Sequence, residues 1–229
     1  ASNITGDKET GLGNWTDGEI FRAITSGVDK EGKFLAPMMP YALFNKMDKE
    51  DLYAIIAYIR TLPPIKNQIA EKNLKFPVNL IFRTIPADVT EYGKRPDGLD
   101  KIKQGEYLGY GCKFCHSPSE KGEILPGKEF AGGVEFPIPD GTIIRSSNIT
   151  PDKETGIGNM TRELFMAKFK SCIDASALDA KSRGFNTPMA WNFIAKTSTD
   201  DDLSAIYDYL MSQKPVNNKV EKITLKGLK

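Results

Sequence analysis

The chain has 229 residues, of which 40% are hydrophobic and 27% charged. That balance suits one large or two small packed domains and excludes a disordered polymer. Thirty-one Lys and Arg against 30 Asp and Glu leave a net charge of +1, which excludes the basic footprint of a nucleic-acid binder. No apolar run approaches the ~18 residues of a membrane-spanning helix. Three cysteines and one histidine exclude a disulfide scaffold and any metal site that needs two imidazoles from this chain.

An internal repeat organises the chain. Residues 2–16 read SNITGDKETGLGNWT and residues 147–161 read SNITPDKETGIGNMT, identical at twelve of fifteen positions. The stretch EIF at 19–21 answers ELF at 163–165, and Pro37-Met38 answers Pro188-Met189. Leu52, Ile55, Ile56 and Ile59 then form a helical stripe, matched by Leu203, Ile206, Tyr207 and Leu210 at an offset of 151. Asp48 caps the first of these helices, and Ser198 or Thr199 the second. Residues 63–98 carry Pro63-Pro64, Phe76-Pro77 and Ile85-Pro86 without sustained periodicity, and are expected to form an extended connector packed on both units. The second copy has an upstream part that the first lacks. It opens with a helix through Leu99, Ile102, Tyr107 and Leu108, followed by a cysteine cluster and a Gly/Pro-rich loop.

Residues 1–62 are therefore expected to be the C-terminal half of a domain whose first roughly fifty residues, by the repeat alignment, would lie before Ala1. Residues 99–215 are expected to be a complete domain. Residues 216–229 are expected to be a tail, frayed from Lys219 onward.

The chemistry concentrates in Gly111-Cys112-Lys113-Phe114-Cys115-His116. A C-x-x-C-H string is the attachment signature of haem c. Two thiols three positions apart at a helix start reach both vinyl groups of one porphyrin, and the adjacent imidazole faces the iron. A redox dithiol needs a βαβ setting, whereas helical patterns surround this pair. A zinc site would rely on Cys172 and on His116, which is too close to Cys115 for tetrahedral ligation. With His116 spent, the natural sixth ligand is a thioether. Met38, Met39, Met47, Met160, Met166, Met189 and Met211 compete, and core packing is the bland role for each. Met189 stands apart because it follows Pro188 in a loop well downstream of the attachment string. Cys172 reads as a small buried apolar residue, and DKETG lacks the ligand alternation of a calcium loop.

Residues 99–214 resemble a class I c-type cytochrome domain. The resemblance rests on Gly105 and Leu108, the C-x-x-C-H string, Ala131-Gly132-Gly133, Ser147-Asn148-Ile149-Thr150, Thr155-Gly156-Ile157-Gly158 and Thr187-Pro188-Met189. More narrowly, the chain resembles di-haem cytochromes c and the cytochrome subunits of bacterial alcohol and aldehyde dehydrogenases. It implies an all-α cytochrome c fold, one complete domain plus half of a second, joined by the Pro-rich connector. It implies one covalent haem c per chain, on Cys112, Cys115 and His116 with Met189 as second axial ligand. Arg145 and Asn148 would bond the propionates.

The Met39-Pro40-Tyr41 string of the first unit matches the family's ligand loop and points to Met39, whereas the ungapped repeat points to Met38. Either would serve a first haem with no attachment string in this chain. Met189-Ala190-Trp191 lacks the usual proline. The resemblance further implies one-electron transfer rather than catalysis, an exported, periplasmic location, and partners such as a dehydrogenase or a terminal oxidase. A di-haem peroxidase-like enzyme and a haem-based sensor with a labile methionine are the alternatives.

Overall fold

The structure, a computed structural model, describes residues 2–35, 39–70, 76–81, 89, 91–120, 123–174 and 188–225, the side chain of Ala42 excepted. The chain divides into two compact units, Ala1–Arg95 and Pro96–Lys229. Among the described residues, no helix is long and apolar enough to cross a membrane.

The first unit contains α1 (Asp17–Ser26), α2 (Tyr41–Phe44), α3 (Lys49–Thr61) and the short α4 (Val78–Ile81). Thr16 starts α1 with a reciprocal cap: its hydroxyl accepts from the Glu19 amide, and the Glu19 carboxylate accepts from the Thr16 amide. Asp48 caps α3, as its position before the apolar stripe requires. Ile20, Ile24, Leu52 and Ile56 form the core, with Met39 and Met47 packed at its edge.

The second unit contains α5 (Lys101–Gly109), α6 (Cys112–His116), α7 (Arg162–Lys170), α8 (Trp191–Thr197) and α9 (Asp200–Met211). Asp100 caps α5 and Thr199, not Ser198, caps α9. The helical architecture expected from periodicity is present, with an additional helix, α8, between Met189 and α9. Among the described residues, five strands of two or three residues join it: β1 (Ser119–Glu120), β2 (Glu123–Ile124), β3 (Glu135–Pro137), β4 (Ile143–Arg145) and β5 (Ile223–Thr224). They pair as an antiparallel hairpin, β1-β2, and an antiparallel sheet ordered β3-β4-β5. Such short strands carry too few alternating residues to register as periodicity. The core gathers Phe130, Ile157, Phe165, Phe169, Leu203, Tyr209 and Leu210. Burying a side chain such as Leu203 contributes about 1.5–3 kcal/mol.

Helices α5 and α9 cross at Gly105. A Cβ there would stand 1.9 Å from the Ala205 carbonyl oxygen and 2.7 Å from Tyr209 Cβ. Only a glycine lets the two backbones approach so closely. Gly109 continues the contact along the Tyr209 ring.

The repeated SNIT loops are identical in their bonding. Asn148 Oδ1 accepts from the Thr150 amide and hydroxyl at 2.9 and 2.8 Å, and its Nδ2 donates to Thr155 Oγ1 and to the Val216 carbonyl. Asn3 does the same with Thr5, Thr10 and the Ile65 carbonyl. The chain after each final helix is thus held against its own loop. Ile65 and Val216 donate their amides to Thr5 and Thr150, and Asn67 and Asn218 donate theirs to Thr10 and Thr155.

This moves two expected boundaries. Residues 63–67 belong to the first unit, and residues 216–218 to the second. At the far end of the connector, the Arg95 guanidinium pairs with Asp51 and its amide bonds Asp48. The tail expected to fray from Lys219 is instead anchored as far as its described residues extend: the Lys222 carbonyl accepts from the Arg145 amide, and β5 completes the sheet. Pairing with β4 supplies partners that the Lys-rich composition could not reveal.

Two predictions follow from this packing. Gly105→Ala lowers the thermal midpoint of the second unit by the equivalent of about 1–3 kcal/mol, whereas Gly18→Ala, in open space on α1, stabilises by a few tenths to about 1 kcal/mol. Calorimetry of the two variants checks both. The Asp152 carboxyl is held below its ordinary 3.8 by the hydroxyl and amide of Thr155. A depressed folded-state pKa gives stability that is present above 3.8 and lost as the pH falls through the folded value. Asp152→Asn therefore melts below the parent at pH 7, and the gap closes in acid below about 3.8; an undiminished gap at pH 3 contradicts this account.

Candidate cofactor site

Helix α6 places the cysteines and the histidine in five residues. Cys112 packs against the core of the second unit, and Cys115 is also partly buried. Burial, reinforced by the neighbouring Cys115, pushes the Cys112 thiol up to about 11, and burial raises Cys115 as well. Both are therefore protonated at neutral pH, the opposite of the low-pKa thiolate of a redox dithiol. All the described strand pairs are antiparallel, so the βαβ setting of that alternative is not found among them.

His116 is only 8% exposed, and it is held at two points. Its Nδ1 lies 2.7 Å from the Ser147 carbonyl oxygen, and its own carbonyl accepts from the Gly132 amide at 2.8 Å. A carbonyl only accepts, so Nδ1 carries the proton and Nε2 keeps its lone pair. Burial lowers the imidazole pKa, outweighing the opposing effect of the Ser147 bond. The ring is thus neutral and oriented as a metal ligand, with a backbone carbonyl fixing its tautomer.

The framework behind the ring is set by one crossing. Gly132 has φ 72°, and a Cβ on it would stand 2.4 Å from the Ser147 carbonyl carbon. The Gly133 amide donates to the Ser146 carbonyl. Phe130, fully buried at φ 58°, donates its amide to Ser117 Oγ and accepts from the Ile149 amide. A non-glycine residue in the left-handed region persists only where its surroundings over-determine it. Ser147, Gly132 and Phe130 thus build the backbone frame that orients the histidine. The repeated SNIT string and the Gly132-Gly133 pair marked their segments but not this role.

Met189 lies just ahead of α8, partly buried against the same core as Cys112. Met160, Met166 and Met211 also pack on that core, which is the bland role expected of them. The Met189 carbonyl accepts from the Trp191 amide at 2.9 Å, and Ala190 has φ −80° and ψ 54°. The first unit repeats this turn at Met39, whose carbonyl accepts from the Tyr41 amide at 2.8 Å, with Pro40 at φ −81° and ψ 57°. The backbone therefore makes Met39 the counterpart of Met189, and the ungapped offset that pointed to Met38 misses by one residue. Met38 itself lies outside the described residues.

Arg145 and Asn148, expected at the propionates, have other partners. Arg145 pairs with Glu135 and Glu221 and bonds Thr224 Oγ1, so it ties β4 to β3 and β5. Asn148 Nδ2 donates to Thr155 Oγ1 in its own loop and to the Val216 carbonyl in the segment after the last helix. In the structure both side chains brace the fold. Trp191 packs on Phe169 with ring centroids 5.0 Å apart, and Cys172 is fully buried.

Two protonated thiols one helical turn apart, an imidazole with Nε2 free and a loop thioether on the same core fit a covalently held porphyrin. No protein-family model matches the chain. It is 30% identical, over 94% of its length and 48% of the relative's, to the cytochrome c subunit of a quinone alcohol dehydrogenase from Gluconacetobacter polyoxogenes. It is 27% identical, over 93% of its length and 50% of the relative's, to the cytochrome c subunit of gluconate 2-dehydrogenase from Pantoea cypripedii. A di-haem c-type cytochrome of Cereibacter sphaeroides is 27% identical over 66% of the chain and 52% of that protein. The chain spans about half the length of these relatives. The resemblance carried by the C-x-x-C-H string and the SNIT repeats is thereby borne out: over most of its length the chain is a homologue of dehydrogenase cytochrome c subunits.

Proposed function

We propose that the chain is a one-electron carrier holding one haem c through Cys112 and Cys115, with His116 Nε2 and Met189 as axial ligands. When bound, the haem supplies a one-electron couple at iron. The observation that carries this reading is the imidazole of His116, buried beside two protonated thiols and fixed by Ser147 with Nε2 free. The chain's own contribution is to orient that ring, exclude water from the core face and offer a thioether, a ligand type that raises the potential. With both axial positions filled, no site remains for substrate, which favours electron transfer over peroxidase chemistry. The homologous cytochrome c subunits support a dehydrogenase as electron donor, with a terminal oxidase or similar acceptor downstream. Thioether attachment supports an exported, periplasmic setting.

Three outcomes are expected. Intact mass with a pyridine haemochrome spectrum gives one covalent haem on the matured chain and none on Cys112→Ser/Cys115→Ser; a colourless mature parent overturns the reading. Met189→Ala keeps the covalent haem but lowers the midpoint potential by on the order of 0.1–0.3 V, within the ~0.8 V span that axial ligands command. An unchanged potential removes Met189 from the ligand set. Gly132→Ala, which forces a Cβ into the Ser147 backbone, destabilises the second unit by about 1–3 kcal/mol. It also shifts the His116 imidazole resonances.

A further inference from the structure

The two methionine turns share one backbone shape but not the residues that hold it. Pro40 stands at φ −81° and ψ 57°, and Ala190 at φ −80° and ψ 54°. In the first unit the pyrrolidine ring fixes that φ covalently. Alanine carries no such restraint. Two positions on, the units differ the other way: Ala42 in the first answers Asn192 in the second. Asn192 Nδ2 donates to the Cys172 carbonyl at 3.0 Å and to the Ile173 carbonyl at 2.6 Å. Those carbonyls follow the end of α7, where Phe169 is buried and Cys172 fully so. Trp191 lies against Phe169, with the Lys168 ammonium 5.7 Å from its ring centroid. The start of α8, and with it the turn at Met189, is therefore pinned to α7.

We infer that Asn192 is a positioning residue for Met189: its two bonds to the end of α7 hold closed a turn that the first unit holds with proline. The inference rests on the proposal that Met189 is an axial ligand. Met189 is bonded through its carbonyl to the Trp191 amide, one residue before Asn192. A thioether that leaves the iron with its turn must therefore break the Asn192 bonds. An added ligand reads this opening, because its apparent affinity scales with the fraction of molecules in which Met189 has left.

The test titrates the matured, haem-loaded chain with imidazole and follows the absorption spectrum. Asn192→Ala is expected to raise the apparent affinity by about tenfold, from the loss of two hydrogen bonds to backbone carbonyls. Adding Ala190→Pro recovers about two- to fivefold of this, by restoring the restraint of the first unit. In a Met189→Ala background Asn192→Ala changes nothing, since no thioether is left to position. An equal rise there marks general loosening and overturns the proposal, and so does an unchanged affinity for Asn192→Ala with Met189 in place. In the parent itself, saturating imidazole speeds exchange of the Asn192 side-chain amide hydrogens, read by NMR; protection that persists overturns the proposal without any variant. Met189→Ala alone separates the two readings. If it leaves imidazole affinity unchanged, Met189 is not the ligand and the reading beneath this one fails. A rise there beside a silent Asn192→Ala sinks only the positioning role.

Discussion

The site depends on one hydrogen bond, from His116 Nδ1 to the Ser147 carbonyl. A histidine imidazole has two neutral tautomers, and only one leaves Nε2 able to bind a metal. A backbone carbonyl makes that choice without adding a charge, and burial keeps the ring from protonating. The Ser147 carbonyl is in turn placed by the close crossing with Gly132 and by the bonds that Asn148 makes to Thr150 and to the Val216 carbonyl. Removing any of these parts leaves the ligand in sequence but not in orientation.

That loop is the most duplicated object in the chain. Its two copies share the asparagine-to-threonine bonds, the aspartate beneath the second threonine and the docking of the segment after the last helix. In the second unit this framework supports a histidine. In the first, the same framework stands without a histidine in this sequence, so the loop's internal bonding does not require the cofactor residues.

How much of this was visible beforehand follows physical lines. The C-x-x-C-H string and the SNIT repeat are local and rigidly spaced, so they could be found without coordinates. The caps at Asp48 and Thr199 follow from short acceptor side chains placed before apolar stripes. What escaped is long-range. The pairing of β5 with β4 joins residues about eighty positions apart, and nothing in a Lys-rich segment announces such a partner. The role of Ser147 is exercised by its carbonyl, which every residue has. Asn148 and Arg145 illustrate the limit most clearly, since the bracing bonds they make join residues far apart in the chain. Met39 became the counterpart of Met189 through backbone angles that an ungapped alignment does not see.

The turn after α1 differs instructively from its counterpart after α7. Gly27, at φ 71°, lies directly under the ring of Tyr41, while Ser171 caps the end of α7 and Trp191 leans on Phe169. In the first unit the glycine and the aromatic over it form a matched pair. Exchange of segments between the two units would therefore collide here, because no side chain can take the place that the Tyr41 ring leaves to Gly27.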